Sequence, residues 1–255
     1  MEEIFLIIFG LVVGSFLNVV IYRVPLGKSI IKPRSHCPAC ATPIKFYDNI
    51  PVVSYILLRG KCRHCQAGIS PIYPLVEAIT AFSFWLAYVY FGQQPLYTAA
   101  SILFICLLLS LALIDLKHMI LPLGITIGGA VVFLIYSFFN PVISPIEAFG
   151  TAAGGALAFT AIYYLYLKVR EIEGLGQGDI WMMLLLGSFL GINKLVIAIL
   201  LASFSGLMVG MFFIIFKKKG LKMALPFGLF LSLGSYISLF WGNEILRLIQ
   251  SIYRW

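Results

Sequence analysis

Charge is what this sequence has least of. Only 11% of its 255 residues are charged, against about 25% in soluble domains. Acids are scarcer than bases, 10 against 18, and histidine is rarer still, at 3. With 61% hydrophobic residues and a mean hydropathy of +1.01, a water-soluble fold is excluded, because the chain has too little polar surface to cover such a core. The bilayer is the solvent. Low-complexity tracts are absent, and no internal repeat is visible. No cleavable leader is expected either. Glu2 and Glu3 precede the first apolar run, 4–22, and the bases follow it, which reverses a secretory n-region. The run is therefore expected to stay as a first helix.

What is present is a series of long apolar stretches. A spanning helix needs about 20 mostly apolar residues, and about eight apolar stretches stand out: 4–22, 74–91, 96–114, 119–139, 146–167, the short 180–191, 195–216 and 223–241. The expected fold is an all-α polytopic membrane protein of about eight transmembrane helices. Its parts are a first helix (1–22), a polar loop module (23–73) and a helical bundle (74–255). The net charge of +8 reads as topology and not as a nucleic-acid surface, since cytoplasmic loops are enriched in Lys and Arg. Placing the 23–73 loop inside leaves only Lys194, Arg247 and Arg254 of the 18 bases outside. Both termini then face out, and the tail 243–255, with mixed charge and aromatics, is expected in the interface.

Carboxylates near the hydrocarbon are costly and usually functional. Asp115 ends the third stretch, and Asp179 begins the sixth behind Gly174-Leu175-Gly176-Gln177-Gly178. The topology puts both at the cytoplasmic boundary. Taken singly, either acid reads equally well as a helix cap or an ion-pair partner. Together they suit a catalytic pair. Two adjacent carboxylates share a proton, so one can activate water as a base while the other polarises the scissile carbonyl as an acid.

The polar loop holds Cys37-Pro38-Ala39-Cys40 and Cys62-Arg63-His64-Cys65. Two C-x2-C pairs suit a closed tetrahedral zinc site, and a cytoplasmic location favours metal over disulfide. The alternative, a redox dithiol, requires the opposite topology. His36 and His64 could replace a cysteine, but four thiols suffice. His118 reads as a boundary residue, and Cys106, inside an apolar run, as a packing residue.

These residues, in this order, resemble the prepilin peptidases, or type IV leader peptidases. The resemblance is carried by Gly14-Ser15-Phe16-Leu17-Asn18 through Pro25, Arg34-Ser35-His36-Cys37, Asp48-Asn49-Ile50-Pro51, the second cysteine pair and Tyr73-Pro74-Leu75-Val76-Glu77. It continues downstream in the Asp115 segment, the GxGD at Asp179 and Pro226-Phe227-Gly228. Departures fall at Trp181 (commonly lysine), Leu123 (often aspartate) and Leu229 (commonly proline). The resemblance implies a bifunctional inner-membrane enzyme. It would cut the basic leader of type IV prepilins and pseudopilins with Asp115 and Asp179. It would then N-methylate the new N-terminal residue with S-adenosylmethionine, for which no fingerprint is visible in the sequence. Zinc would sit on Cys37, Cys40, Cys62 and Cys65. Glu77 reads as substrate- or cofactor-facing, or equally as a solvated helix-start acid. Membrane lipids are expected partners, their anionic headgroups held by the basic loop. Rival readings are a membrane transporter, a thiol oxidoreductase and a non-enzymatic zinc-containing assembly protein.

Overall fold

The computed structural model describes residues 1–171, 174–217 and 225–252, leaving aside the side chain of Lys217. The basic turn expected at 217–222, the start of the stretch at 223 and the last residues of the tail lie outside the described residues. Among the described residues there are eight α-helices: α1 (Glu2–Arg23), α2 (Val53–Leu57), α3 (Ile72–Phe91), α4 (Pro95–His118), α5 (Leu123–Tyr136), α6 (Pro145–Arg170), α7 (Gln177–Lys217) and α8 (Phe227–Ile252). Among the described residues, the only β-type pairing is two isolated bridges, His36 with Pro43 and Lys61 with Gly68. Among the described residues, five helices are long and apolar enough to cross a membrane: α1, α3, α4, α6 and α7. The remaining expected stretches appear as α5, as the second arm of α7 and as α8. The chain divides into two compact units, Met1–Cys106 and Leu107–Trp255.

In the first unit, α1 packs on α3 through a small-residue seam. A Cβ on Gly10 would lie 2.6 Å from the Ala81 Cα, and one on Gly14 would lie 2.6 Å from the Glu77 Cα. Gly10 and Gly14 form a GxxxG pair, which lets helix backbones touch where lipid supplies no hydrophobic drive. Further along the seam, the Asn18 side-chain amide donates to the Tyr73 carbonyl at 3.1 Å. At the other end, the Trp85 indole donates to Glu3. Between α1 and α3 runs the cysteine-bearing module. The buried Arg23 guanidinium closes its first loop by donating to the Ser29 and Pro33 carbonyls at 2.9 and 2.7 Å.

In the second unit, α7 is the hub, packing against α5, α6 and α8. It is two arms, because Gly191 breaks it with φ 70° and ψ 172°, a conformation open essentially to glycine alone. Contacts show that the arms reverse direction. Along α6 they pair Gln177 with Tyr163, Gly187 with Ala152 and Ile192 with Glu147. Along α8 they pair Lys194 with Ser238, Ala198 with Gly234 and Gly206 with Phe230. Phe159 of α6 lies against Phe227 at the start of α8, their ring centroids 6.4 Å apart, so the second arm returns toward the end where the first began. The core between α5 and α7 is filled by Phe133 and Phe189, whose ring centroids are 4.7 Å apart, with Met182, Met183, Leu185 and Leu186 fully buried beside them.

Candidate active site and metal centre

At one end of the second unit, the C-terminus of α4 and the N-termini of α7 and α8 converge. Asp115 lies in the last turns of α4 and is 5% exposed. Its Oδ2 accepts a hydrogen bond from the Leu229 amide at 3.0 Å, and a Cβ on Gly228 would sit 3.0 Å from the same oxygen. Only glycine lets the backbone of α8 come this close to the carboxylate. Asp179 is also 5% exposed. It stands three residues after Gly176, whose amide it accepts at 3.2 Å, as the third residue of a capping box does. Thus the helix-capping reading of Asp179 holds for one oxygen, while burial beside a second acid needs a further reason.

Leu121 ties the two acids together. It contacts the Cβ positions of both Gly178 (2.9 Å), next to Asp179, and Gly228 (2.9 Å), next to Asp115. Met119, left-handed at φ 53°, ends α4 and turns the chain so that Leu121 can reach both. This end of the unit thus presents two buried acids fixed by backbone amides and bordered by Gly176, Gly178 and Gly228. His118 is exposed, in keeping with a boundary residue, and Trp181 is 39% exposed.

In the first unit, the four module cysteines form one cluster, their sulfurs all within 4.8 Å of one another. Cys37 and Cys65 Sγ are 3.8 Å apart, close to the ~3.8 Å edge of a tetrahedron with 2.3 Å Zn–S bonds. The fit follows from two copies of one turn. The Cys37 amide donates to the Thr42 carbonyl and Ala41 donates back to Cys37; Cys62 donates to Ala67 and Gln66 donates back to Cys62. Ala41 and Gln66 are both left-handed, at φ 56° and 59°. So the module holds a short structural repeat around its cysteine pairs, not evident in the sequence because little besides the cysteines is shared. Hydrogen bonds with the Thr42 hydroxyl and amide bring the Cys40 thiol down to about 6, and the Cys65 and His64 amides lower Cys62. The Ala67 amide favours the Cys65 thiolate, but removal from water and the neighbouring sulfurs outweigh it and push that thiol up to about 11. A dication resolves such crowding, since it deprotonates coordinating thiols outright. The donor set and spacing fit zinc. His36 and His64 are exposed and lie outside the cluster.

Beside the cluster, Arg63 makes a forked ion pair with Asp48, with a shortest distance of 2.6 Å, which holds the Asp48 carboxyl below its ordinary range. The Asp48-to-Pro51 run leads into a feature that no sequence pattern announces. Val52 has φ 60° and ψ −49°, and the Val53 amide donates to the Pro51 carbonyl at 2.6 Å. This is the rare, strained γ-turn. It aims the Val52 amide at Glu77 Oε2, 2.8 Å away. Glu77 is 7% exposed, so it is no solvated helix-start acid.

Comparison with known proteins fits both halves. The Bacterial Peptidase A24 N-terminal domain matches residues 8–91, and the Type IV leader peptidase family matches residues 102–211. A protein of Aeromonas hydrophila is 34% identical over 268 residues, covering 94% of this chain and 91% of its own length. The chain belongs to the type IV leader peptidase family. A second member, from Pseudomonas aeruginosa, is 33% identical with 94% and 91% covered. A third, from Myxococcus xanthus, is 42% identical over 207 residues, spanning 81% of this chain and 62% of the relative. All three are named prepilin leader peptidase/N-methyltransferase. As a member of this family, the chain is a protease that also methylates. No solved structure matches it.

Proposed function

We propose that Asp115 and Asp179 are the catalytic pair of a prepilin peptidase that works at the cytoplasmic face of the inner membrane. The observation that carries this reading is the convergence of both buried acids around Leu121 and the glycines at 178 and 228. One carboxylate activates water and the other, protonated, polarises the scissile carbonyl. The neighbouring glycines leave room for a substrate backbone. A prepilin carries a basic leader before an apolar helix, so its scissile bond lies at the inner interface, at the depth of these acids.

Residues 23–73 act as a cytoplasmic module stapled by zinc on Cys37, Cys40, Cys62 and Cys65, and the apolar helices of 74–255 as the peptidase bundle. Zinc there is structural: four thiolates close the coordination sphere and leave no open position. The exposed bases of the module meet anionic lipid headgroups. Methylation uses S-adenosylmethionine, a reading supported by the relatives' shared name.

Purified protein incubated with a prepilin in detergent tests the pair. Asp115→Asn and Asp179→Asn each keep the hydrogen-bond geometry and lose the acid. Cleavage should fall by about 10²–10⁴-fold in either, the range expected of general acid–base groups, with unchanged helical content. Cleavage near the wild-type rate in either variant would sink the assignment.

A further inference from the structure

Glu77 is a carboxylate held out of water at 7% exposure, on a helix read as a membrane span. Its neighbours are an amide from the strained Val52 turn and the Ser15 hydroxyl. Among the described residues no cationic side chain forms an ion pair with it; the ion pair present is Arg63 with Asp48. A buried carboxylate without a countercharge is costly, and a left-handed β-branched residue persists only where the surroundings over-determine it. Both features are explained if the site awaits a cation.

The family's reaction supplies one. Cutting a peptide bond frees an α-amine, which is an ammonium at neutral pH, and an N-methyltransferase must seat that nitrogen and remove a proton from it. We propose that Glu77 is the seat of the substrate's freed α-ammonium and takes its proton. This rests on the reading above that the chain cuts and then methylates prepilins. The ammonium passes one proton to the Glu77 carboxylate. The neutral nitrogen's lone pair then takes the methyl carbon of a sulfonium donor as the carbon–sulfur bond breaks, leaving a thioether and a methylated ammonium. The carboxylic acid returns its proton to water. Val52 positions the carboxylate by holding Oε2.

Glu77→Gln separates this role from simple anchoring, because glutamine still accepts the Val52 amide but carries no charge. Two synthetic peptides are titrated into full-length protein in nanodiscs. Both are an apolar pilin-like helix, one with a free α-amine and one N-acetylated. S-adenosylmethionine alone is titrated as a third probe. Wild type should bind the free-amine peptide at least ~10-fold tighter than the acetylated one. Glu77→Gln should bind both alike, bind S-adenosylmethionine as wild type does, keep its zinc, still cleave prepilin, and methylate at least ~100-fold more slowly. Equal binding of the two peptides by wild type overturns the proposal. So does amine preference surviving in Glu77→Gln, or a loss confined to S-adenosylmethionine binding. The binding readout needs no proteolysis, so a failure of the aspartate pair and a failure of this seat are told apart.

Discussion

Each acid of the proposed pair is held by a backbone amide, Asp115 by Leu229 and Asp179 by Gly176. Leu229 stands where the family commonly has proline, and a proline would have no N–H to give. This departure therefore places a donor on Asp115 that a proline could not supply. The cysteines are the other residue-scale feature, and their clustering was legible because two C-x2-C pairs leave their spacing in the sequence. Glu77 was legible only as a motif residue. Its burial depends on the Val52 γ-turn, which no propensity predicts. For the cysteines, Cys37→Ser removes one of four ligands from a site whose metal is worth about 10–16 kcal/mol in small zinc domains. Metal analysis should find about one zinc per wild-type chain and less than a tenth of that in the variant. The module should become protease-sensitive, while α1 and α3 stay paired through Gly10 and Gly14. A variant that retains its zinc would refute four-thiolate ligation.

At the scale of elements, hydropathy located the helices well, because lipid demands long apolar runs whose backbone groups are satisfied internally. It placed a boundary near Gly191 but could not show what the glycine does there. Gly191 reverses α7, and that reversal brings the second arm back along α8 toward the end where α4 delivers Asp115. The GxxxG seam of α1 also escaped a reading based on hydropathy, since close approach depends on what is missing from two side chains. Gly191→Ala tests the reversal. An alanine at φ 70° and ψ 172° is strained by about 1–3 kcal/mol, and its Cβ would lie 2.6 Å from Glu147 Oε1. Gly154→Ala on α6 is the control, because its Cβ meets open space and alanine favours a helix by about 0.5–1 kcal/mol. Thermal unfolding in detergent should show a lowered midpoint for Gly191→Ala, and an unchanged or raised one for Gly154→Ala. Equal midpoints would mean that the break is not built on glycine.

For the whole molecule, orientation follows from the distribution of charge. The bases of the 23–73 segment, among them exposed Lys28, Arg34, Arg59 and Lys61, are hard to translocate, which supports the proposed placement of that segment in the cytoplasm. Two spans, α3 and α4, then separate the module from Asp115. An even number of crossings returns the chain to the side it left, so under that proposal the aspartates are expected at the cytoplasmic boundary too. Trypsin tests this directly, since Lys28 and Arg34 are exposed cutting sites. Added to inverted inner-membrane vesicles, it should cut within 23–73 and release α1 from the rest of the chain. Added to intact spheroplasts, it should leave that segment whole. The opposite pattern would place the thiols on the oxidising side, where disulfide competes with zinc. It would also carry both aspartates to the outer leaflet, away from any leader that has not crossed.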